Sequence, residues 1–447
     1  MKIAHFSRWG FLMAAAGAAV GLGNIWKFPY VAGQYGGGAF VLVYLLTVVF
    51  VGFSVMIAEM LIGYLGRRDG VGAFEHLAPR HKNKWKYAGF MALFGTLVMF
   101  YYSVVIGWIF HYILMSFGTL PASVPEAEAI YDQFIKHDIW EQILFHTMAF
   151  LITTTVLVRG IKGGIEKFNL VLMPTLILII IGMLIYAMNM ESFAKAVEYM
   201  FVPDWTKLTS EAFAVAVGHA FFTLSLGMGS IMIYSASLPK ESNLVRASLF
   251  VITTDTLIAL AAGLFLFTFL FQYGAQPAKG PGLVFISLPT VFYAMGNVGN
   301  VLAVLFFMAL AFAGLTSAVS LVEPMVQYLI DRWNMSRFKA AVSMGLFFYF
   351  FGIIAIFSQL ESTSALFSWG GKTFFDWMDY LTSAVLLPLA GLLMAVFVGF
   401  IMEKERVASV LKTQMGWFYP IWRFNIRFVA PVALVFVMLN LMGIIEF

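Results

Sequence analysis

The chain has 447 residues, of which 61% are hydrophobic and 11% charged, and its formal net charge is +4. A soluble domain carries about 25% charged residues because its surface must be solvated, so this composition excludes a soluble globular protein. The absence of cysteine excludes disulfides, thiolate metal sites and cysteine nucleophiles.

Long apolar segments recur along the whole chain, separated by short polar stretches. Each is long enough to cross ~30 Å of hydrocarbon as a helix. The sequence therefore predicts an all-α polytopic membrane protein of about eleven transmembrane helices, with residues 1–447 forming a single membrane domain. The predicted helices cover residues 8–34, 38–64, 87–118, 141–159, 166–188, 211–237, 242–272, 299–332, 337–357, 372–403 and 424–445.

The basic residues are distributed unevenly between the two sides of the membrane. With the N-terminus in the cytoplasm, most of the 27 lysines and arginines fall in inner segments, as the positive-inside rule requires. The odd number of spans then places the C-terminus outside. The positive net charge therefore reflects the orientation of the spans in the membrane, and we expect no nucleic-acid partner. The outer segments hold Lys136, Lys195, Lys207, Lys279 and Lys372, and Lys27 lies near the outer end of the first span.

Two predicted spans are interrupted by glycines at corresponding places, at residues 17–24 and 222–229. Glycine inside a helix costs about 1 kcal/mol, and unwound backbone at membrane depth is tolerated where it lines a cavity. The glycines alone are also compatible with close helix packing. Because the two breaks match, and polar residues accompany them, they favour a transport site between two inverted five-helix repeats. We expect the repeats at 8–188 and 211–403, with an additional eleventh helix at 424–445.

Three motifs resemble those of the neurotransmitter:sodium symporter family. AGAAVGLGNIWKFPY at 16–30, followed by GGGAF at 36–40, resembles the first-helix signature. GHAFFTLSLG at 218–227 and FAGLTS at 312–317 resemble the sixth and eighth helices. The match runs in order through the first ten spans. It implies a leucine-transporter-type fold and a sodium-coupled secondary symporter that imports an amino acid by alternating access, and no enzymatic activity.

The resemblance also implies two sodium ions, each held by oxygen ligands, which suit a hard cation. The first site takes the substrate carboxylate, the carbonyl of Ala19 and the side chains of Asn24, Thr223 and Asp255. The second site takes carbonyls of Gly17, Val20 and Ala313 with the hydroxyls of Thr316 and Ser317. An alternative for Thr316 and Ser317 is hydrogen bonding back to their own helix, which is common for mid-helix hydroxyls.

The substrate site implied by the resemblance lies at the same breaks. Backbone amides at the start of a half-helix suit a carboxylate, and Tyr102 is expected to donate its hydroxyl to it. Family members that carry amines have an aspartate where this chain has Gly21, so we expect an α-amino acid. Met228 replaces a bulkier phenylalanine, which predicts a neutral hydrophobic or aromatic L-amino acid. The expected substrate-binding residues are Ala19, Gly21, Leu22, Gly23, Val98, Tyr102, Phe222, Thr223, Ser225, Met228 and Leu321.

Asp255 leads us to expect transport that does not depend on chloride. Many animal members of the family place asparagine at this position and bind chloride nearby, partly through a serine four residues later. Here that later position is Ala259, which cannot ligate an anion. A fixed carboxylate at Asp255 would balance the sodium charge in a medium of low dielectric, where an unbalanced charge is expensive.

Two residue pairs match the gates of the family. Lys27 and Asp379 occupy the outer pair, and Lys2 and Asp331 the inner pair, with lysine in place of arginine in both. Lysine lacks the bidentate geometry of arginine. Glu59, in the second span, is expected to hold the unwound sixth helix through backbone amides, because an intramembrane carboxylate is costly unless it is used.

Other functions remain open on the sequence. The substrate is alternatively another small carboxylate- or amine-bearing solute. A membrane-embedded metal or haem enzyme would use His111, His146 and His219, which show no close ligand spacing; a channel would need a pore-lining repeat. The eleven-span length is typical of the bacterial branch, so we expect a bacterial cytoplasmic membrane. No obligate protein partner is evident beside the substrate, sodium and the lipid bilayer.

Overall fold

Almost all regular structure in the computed structural model is helical, and the model describes residues 5–239, 241–275 and 280–445. Within these ranges, nine helices are long and apolar enough to cross a membrane, and a tenth span is the pair Arg8–Ala19 and Gly23–Gln34, bent by 50° at a short break. An eleventh run, Ser210–Thr223 and Ser230–Ala236, is interrupted at residues 224–229. The protein is therefore an all-α polytopic membrane protein with two broken spans.

We number the spans 1 to 11 in chain order. Several contain a short π-helical or 3₁₀ segment within one continuous helix. The bounds are Arg8–Ala19 with Gly23–Gln34 (span 1), Gly38–Gly66 (2), Lys82–Met115 (3), Ile139–Val158 (4), Ile161–Met188 (5), Ser210–Thr223 with Ser230–Ala236 (6), Leu244–Gln272 (7), Asn297–Trp333 (8), Arg337–Gln359 (9), Phe374–Ile401 (10), and the helical run Lys404–Leu441, whose apolar part is span 11.

Shorter elements connect the spans. The loop between spans 2 and 3 carries the helix Gly70–Leu77. Below, 'inner' denotes this side, which is expected to face the cytoplasm, and 'outer' denotes the opposite side. Outer loops carry the helices Val124–Lys136, Phe193–Phe201, Leu283–Ser287 and Leu288–Ala294, with 3₁₀ turns at Trp205–Lys207 and Ser364–Phe367. A two-stranded antiparallel hairpin, Ser368–Trp369 with Lys372–Thr373, precedes span 10.

The last helical run differs from its predicted bounds. We expected a helix at 424–445, but helix begins at Lys404 and the segment Lys404–Met415 belongs to the inner loop. This segment is polar, with basic and acidic residues in its first turn, so hydrophobicity alone does not reveal it as helix. The division into repeats at 8–188 and 211–403, with an additional helix at 424–445, stays a prediction.

Each break has a backbone reason. In span 1 the helix ends at Ala19, and Val20 adopts an extended conformation with ψ of 105°. In span 6, Ser225, Gly227 and Gly229 have positive φ angles of 51°, 79° and 73°. Glycine enters this region without a steric penalty, whereas serine pays one, so the break in span 6 needs its two glycines.

The broken spans lie at the centre of the bundle. The inner half of span 1 packs against spans 5, 7 and 8, and the inner half of span 6 packs against span 2. Spans 3, 4 and 9 pack against one another on the side of span 8. Unwound backbone is thus shielded from lipid by neighbouring helices, which is the condition for tolerating it at membrane depth.

Candidate transport site

The breaks of spans 1 and 6 face one another across a small cavity. All eleven expected substrate-binding residues line it, together with Asn24 and Ser317. The cavity volume is about 20 Å³, which by this measure holds about one water molecule. The lining residues must therefore move apart before an amino acid can occupy it. The lining comprises Ala19, Gly21, Leu22, Gly23, Val98, Tyr102, Phe222, Thr223, Ser225, Met228 and Leu321.

The cavity has a polar end at the break of span 1. The Leu22 amide donates to the Tyr102 hydroxyl at 3.4 Å, and the Gly21 amide donates to Asn24 Oδ1 at 3.0 Å. These amides precede the outer half-helix of span 1, whose dipole favours negative charge at that point. This part of the cavity therefore suits a carboxylate, while Val98, Met228 and Leu321 add apolar side chains to the lining.

The first expected ion site is a buried cluster around Asp255. Asn24 Nδ2 donates to Asp255 Oδ1 at 2.7 Å and to the Asp255 carbonyl at 3.2 Å. The Tyr44 hydroxyl lies 3.4 Å from Asp255 Oδ2. Thr223 is also buried, on the neighbouring turn of span 6. In the described part of the chain, Asp255 has no ion pair with a basic residue, so a cation is the natural complement to its charge.

The second expected ion site brings spans 1 and 8 together. Ser317 Oγ lies 3.2 Å from the Gly17 carbonyl and 3.3 Å from the Val20 carbonyl. Thr316 Oγ1 instead bonds to its own helix, at 2.9 Å from the Phe312 carbonyl and 3.1 Å from the Ala313 carbonyl. Ser317 thus reaches the break, whereas Thr316 follows the back-bonding alternative. The expected ligands are three carbonyls and two hydroxyls, so all five are neutral oxygens, which fit a monovalent hard cation.

Glu59 lies beneath the break of span 6. Its carboxylate accepts hydrogen bonds from the Gly227 amide at 3.0 Å and the Met232 amide at 3.4 Å, and the side chain is fully buried. The unwound segment frees these amides from helical bonding, and one carboxylate provides acceptors for two of them.

The outer gate residues share a cavity but do not form an ion pair. Lys27 and Asp379 line a space of about 260 Å³ that continues outward from Leu22, Tyr102 and Phe222. The Lys27 ammonium instead lies 5.1 Å from the centroid of the Phe222 ring. Within this space the Lys27 ammonium therefore interacts with the face of the Phe222 ring rather than with the Asp379 carboxylate.

The inner gate is only partly described. Lys2 lies outside the described residues. Asp331 accepts from the Asp69 amide at 3.1 Å and from Gln327 Nε2 at 2.8 Å. Sequence reasoning missed the neighbouring Arg332, which lies 2.7 Å from Glu75 and 3.5 Å from Asp69.

Two further contacts of the site were also missed by sequence reasoning. Tyr44 contacts Asp255 from span 2, where a tyrosine in an apolar helix has no distinguishing pattern. Ser225 Oγ donates to the Ala18 carbonyl at 2.6 Å and so links the two breaks directly. The freed carbonyls of span 1 were a usable signal for this second contact, because each needs a donor or a cation.

The three histidines do not converge. His111 pairs with Glu141 at 3.1 Å, His146 bonds to the Tyr349 carbonyl, and His219 stacks on Phe28. Across residues 5–239, 241–275 and 280–445, no group of three or more histidine, aspartate or glutamate side chains is placed to hold a metal ion.

Comparison with known proteins decides the family. The profile of the sodium:neurotransmitter symporter family matches residues 4–140 and 135–447. The chain belongs to this family. An uncharacterized sodium-dependent transporter of Bacillus subtilis, YhdH, is 35% identical over 99% of this chain and 98% of its own length. A second uncharacterized sodium-dependent transporter, from Haemophilus influenzae, is 35% identical over 97% of each chain.

A solved structure shows the same fold. The crystal structure of MhsT in complex with L-phenylalanine superimposes with a TM-score of 0.89 at 34% identity, covering 99% of this chain and all of that one. The prediction of a leucine-transporter-type fold is therefore confirmed. As a member of the sodium:neurotransmitter symporter family, the chain is a multi-pass, sodium-dependent membrane transporter, and the enzyme alternative is dropped because its relatives are transporters.

Proposed function

We propose that this chain is a sodium-coupled symporter that imports a neutral hydrophobic or aromatic L-amino acid by alternating access, without a requirement for chloride. Two sodium ions move with each substrate. The protein works in the cytoplasmic membrane of a bacterium, with its N-terminus inside and its C-terminus outside.

One observation carries the substrate class: the lining of a single cavity combines freed backbone amides with apolar side chains. The Gly21 and Leu22 amides would bind the substrate carboxylate, and Val98, Met228 and Leu321 its side chain. In the described part of the chain, no aspartate or glutamate lines the cavity to pair with an amine-only or basic side chain. The related protein MhsT has been crystallised with L-phenylalanine, which supports an aromatic substrate here.

The position of the first ion site supports coupling. Ala19 and Asn24 border the polar end of the cavity, so the substrate carboxylate would complete the ligand set of the first sodium ion. Each ligand then strengthens the binding of the other, because they share a contact that neither makes alone. A substrate without a carboxylate loses this coupling.

The surroundings of Asp255 support independence from chloride. The carboxylate is buried with Asn24 and Tyr44 around it, and Ala259 offers no anion ligand one turn later on span 7. A bound sodium ion and a fixed carboxylate neutralise each other, so no mobile anion is needed to offset the cost of burying the cation.

A thermal-shift screen of the twenty amino acids, in sodium and in potassium buffers, tests this function. Ligands that bind the folded state raise its stability by RT ln(1 + [L]/Kd), so the substrate should stand out. We expect leucine, phenylalanine, tyrosine or tryptophan to stabilise the protein in sodium only. Phenethylamine, which matches phenylalanine without the carboxylate, serves as the control and should have no sodium-dependent effect. Preferential stabilisation by glutamate, lysine or glycine would refute the substrate assignment.

A further inference from the structure

Span 5 presents a buried asparagine to the break of span 1. Asn169 is fully buried, and its amide nitrogen donates to the Ile165 carbonyl of its own helix at 2.9 Å. Its Oδ1 atom is buried and has no hydrogen-bond partner. A flip of the amide would set oxygen against the Ile165 carbonyl, so the donated bond fixes Oδ1 on the opposite side.

The unpaired oxygen lies against Gly17, whose carbonyl is an expected ligand of the second ion site. A methyl group added at Gly17 would clash with Asn169 Oδ1, and would lie 3.0 Å from Thr316 Cβ and 3.2 Å from Met173 Cγ. Gly17 is the residue whose carbonyl accepts from Ser317. Three spans therefore meet at this glycine: span 1 with its carbonyls, span 8 with Thr316 and Ser317, and span 5 with Asn169.

An unsatisfied buried acceptor destabilises the protein, so its retention needs a reason. Asn169 Oδ1 needs a hydrogen-bond donor or a cation. The nearby Gly17 carbonyl is itself an acceptor, and the Thr316 hydroxyl already donates within span 8. A cation would satisfy Oδ1 and the freed carbonyls at the same time. The group is neutral, like the other five expected ligands, so it adds an oxygen without adding charge.

We propose that Asn169 is a further sodium ligand, which contributes its Oδ1 to the ion of the second site in addition to the groups from spans 1 and 8. This inference rests on the proposed sodium coupling and extends it to span 5. Sodium binding then links span 5 to the inner half of span 1. Glu166 lies three residues earlier on span 5 and holds Ser7, at the start of that same half, at 2.5 Å.

The test uses Asn169→Leu and Asn169→Ala with sodium titrations in the absence of amino acid. Without a substrate carboxylate the first site is incomplete, so sodium binding reports mainly the second. Leucine keeps the number and branching of the heavy atoms and removes both polar atoms, so the sodium-free protein should remain close to wild type in stability. Two readouts are measured on purified protein: binding of radioactive sodium, and the melting temperature in sodium minus that in potassium.

We expect both variants to raise the half-saturating sodium concentration by about tenfold, the loss of about 1.4 kcal/mol from one ligand. Thr175→Ala is the matched control. Thr175 lies on the same span and its hydroxyl donates to the Val171 carbonyl at 2.8 Å in an exposed bond, so its removal should leave sodium binding unchanged.

The outcomes separate the two proposals. If wild type binds sodium and the Asn169 variants bind it equally well, Asn169 is not a ligand and the inference fails alone. If a variant has a lower melting temperature without sodium but the same sodium affinity as wild type, the role of Asn169 is only structural. This result also overturns the inference. If wild-type protein shows no sodium binding, the proposed second site itself is wrong. Should Asn169→Ala not fold, Asn169→Leu decides between these results.

Discussion

Asp255 illustrates how much a single residue decides in a buried ion site. Its carboxylate is surrounded by Asn24 and Tyr44, and its charge has no basic partner in the described part of the chain. Each contact is polar but neutral, so the environment can orient the carboxylate without neutralising it. The proposed ion selectivity and the absence of a chloride requirement therefore depend on the same side chain.

Replacing Asp255 with asparagine should remove sodium-dependent uptake at neutral pH. The neutral amide lacks the charge that offsets sodium, so we expect uptake to fall by about tenfold or more. Wild-type uptake in proteoliposomes should be unchanged when gluconate replaces chloride. Its apparent sodium affinity should weaken as the pH is lowered, because a proton and sodium compete for the carboxylate.

Ala259→Ser is the control for this prediction. It lies one turn further along the same helix and leaves the carboxylate in place, so chloride-free uptake should persist. Wild-type uptake that stops without chloride would contradict the role given to Asp255.

Ser317 offers a test of the second ion site that spares the first. Ser317→Ala removes a hydroxyl that reaches the Gly17 and Val20 carbonyls but leaves Asp255 and Asn24 untouched. The sodium concentration for half-maximal uptake should rise by about tenfold, with the order of amino-acid preference unchanged. Ser248→Ala is the control, because this buried serine bonds only to the Val245 carbonyl of its own helix. If both variants behave alike, Ser317 has only a packing role.

At the scale of an element, span 6 shows how a broken helix is held open. Gly227 and Gly229 permit the backbone path, and Glu59 accepts the amides that the path leaves free. Ser225 then ties this break to span 1 through the Ala18 carbonyl. The unwound segment is thus stabilised by specific acceptors, and movement of either broken span must change these bonds.

Glu59→Gln should destabilise this arrangement. Glutamine replaces one carboxylate oxygen with an NH2 group, which donates hydrogen bonds and does not accept them. One backbone amide of the break therefore loses its acceptor. The cost expected is about 1–3 kcal/mol, seen as a lower melting temperature and as lost sodium-dependent stabilisation by the substrate. The control is Ser54→Ala on the same span, whose hydroxyl bonds only to the Phe50 carbonyl. Normal substrate stabilisation in Glu59→Gln would show that the carboxylate does not support the site.

At the scale of the whole molecule, an inner-surface network joins the loop after span 2 to the end of span 8. Arg332 lies between Asp69 and Glu75, and Asp331 accepts the Asp69 amide. Burial raises the pKa of Asp69, and the hydrogen bond from Arg332 holds the pKa of Glu75 below its usual value. Both carboxylates are stabilised in their charged forms by the same arginine.

Arg332→Ala should therefore destabilise the protein in a pH-dependent way. Without the arginine, the pKa of Asp69 rises further and that of Glu75 returns towards normal. Wild type therefore has a higher free energy of unfolding than the variant while the carboxylates are ionised. This difference is lost as the pH falls through their pKa values. We expect a difference of about 1 kcal/mol or less at about pH 7.5 and a smaller one at about pH 4, because the share of Glu75 is fully lost only below its lowered pKa.

Melting curves of wild type and variant at the two pH values measure this effect. Arg80→Ala, an exposed arginine on the same loop, is the control and should show no such pH dependence. A larger difference at the acid pH would contradict the assignment of charges in this network.

The all-α polytopic fold class and the two broken helices could be predicted from the sequence alone. The length of an apolar segment and the presence of glycines inside it are local properties of the sequence. A bilayer permits few ways other than a helix to satisfy the backbone hydrogen bonds of such a segment. The resemblance of the motifs to a known family also indicated the residues around the cavity. These residues lie together in the structure, around one cavity.

The hydrogen-bond partner of each polar group depends on how the helices pack, and so could not be predicted from the sequence. Thr316 and Ser317 are adjacent hydroxyls on one helix, yet one returns to its own carbonyls and the other reaches span 1. Tyr44 and Asn169 approach the ion sites from spans 2 and 5, far away in sequence. Such contacts depend on the rotation and spacing of packed helices, which a pattern along one chain does not encode.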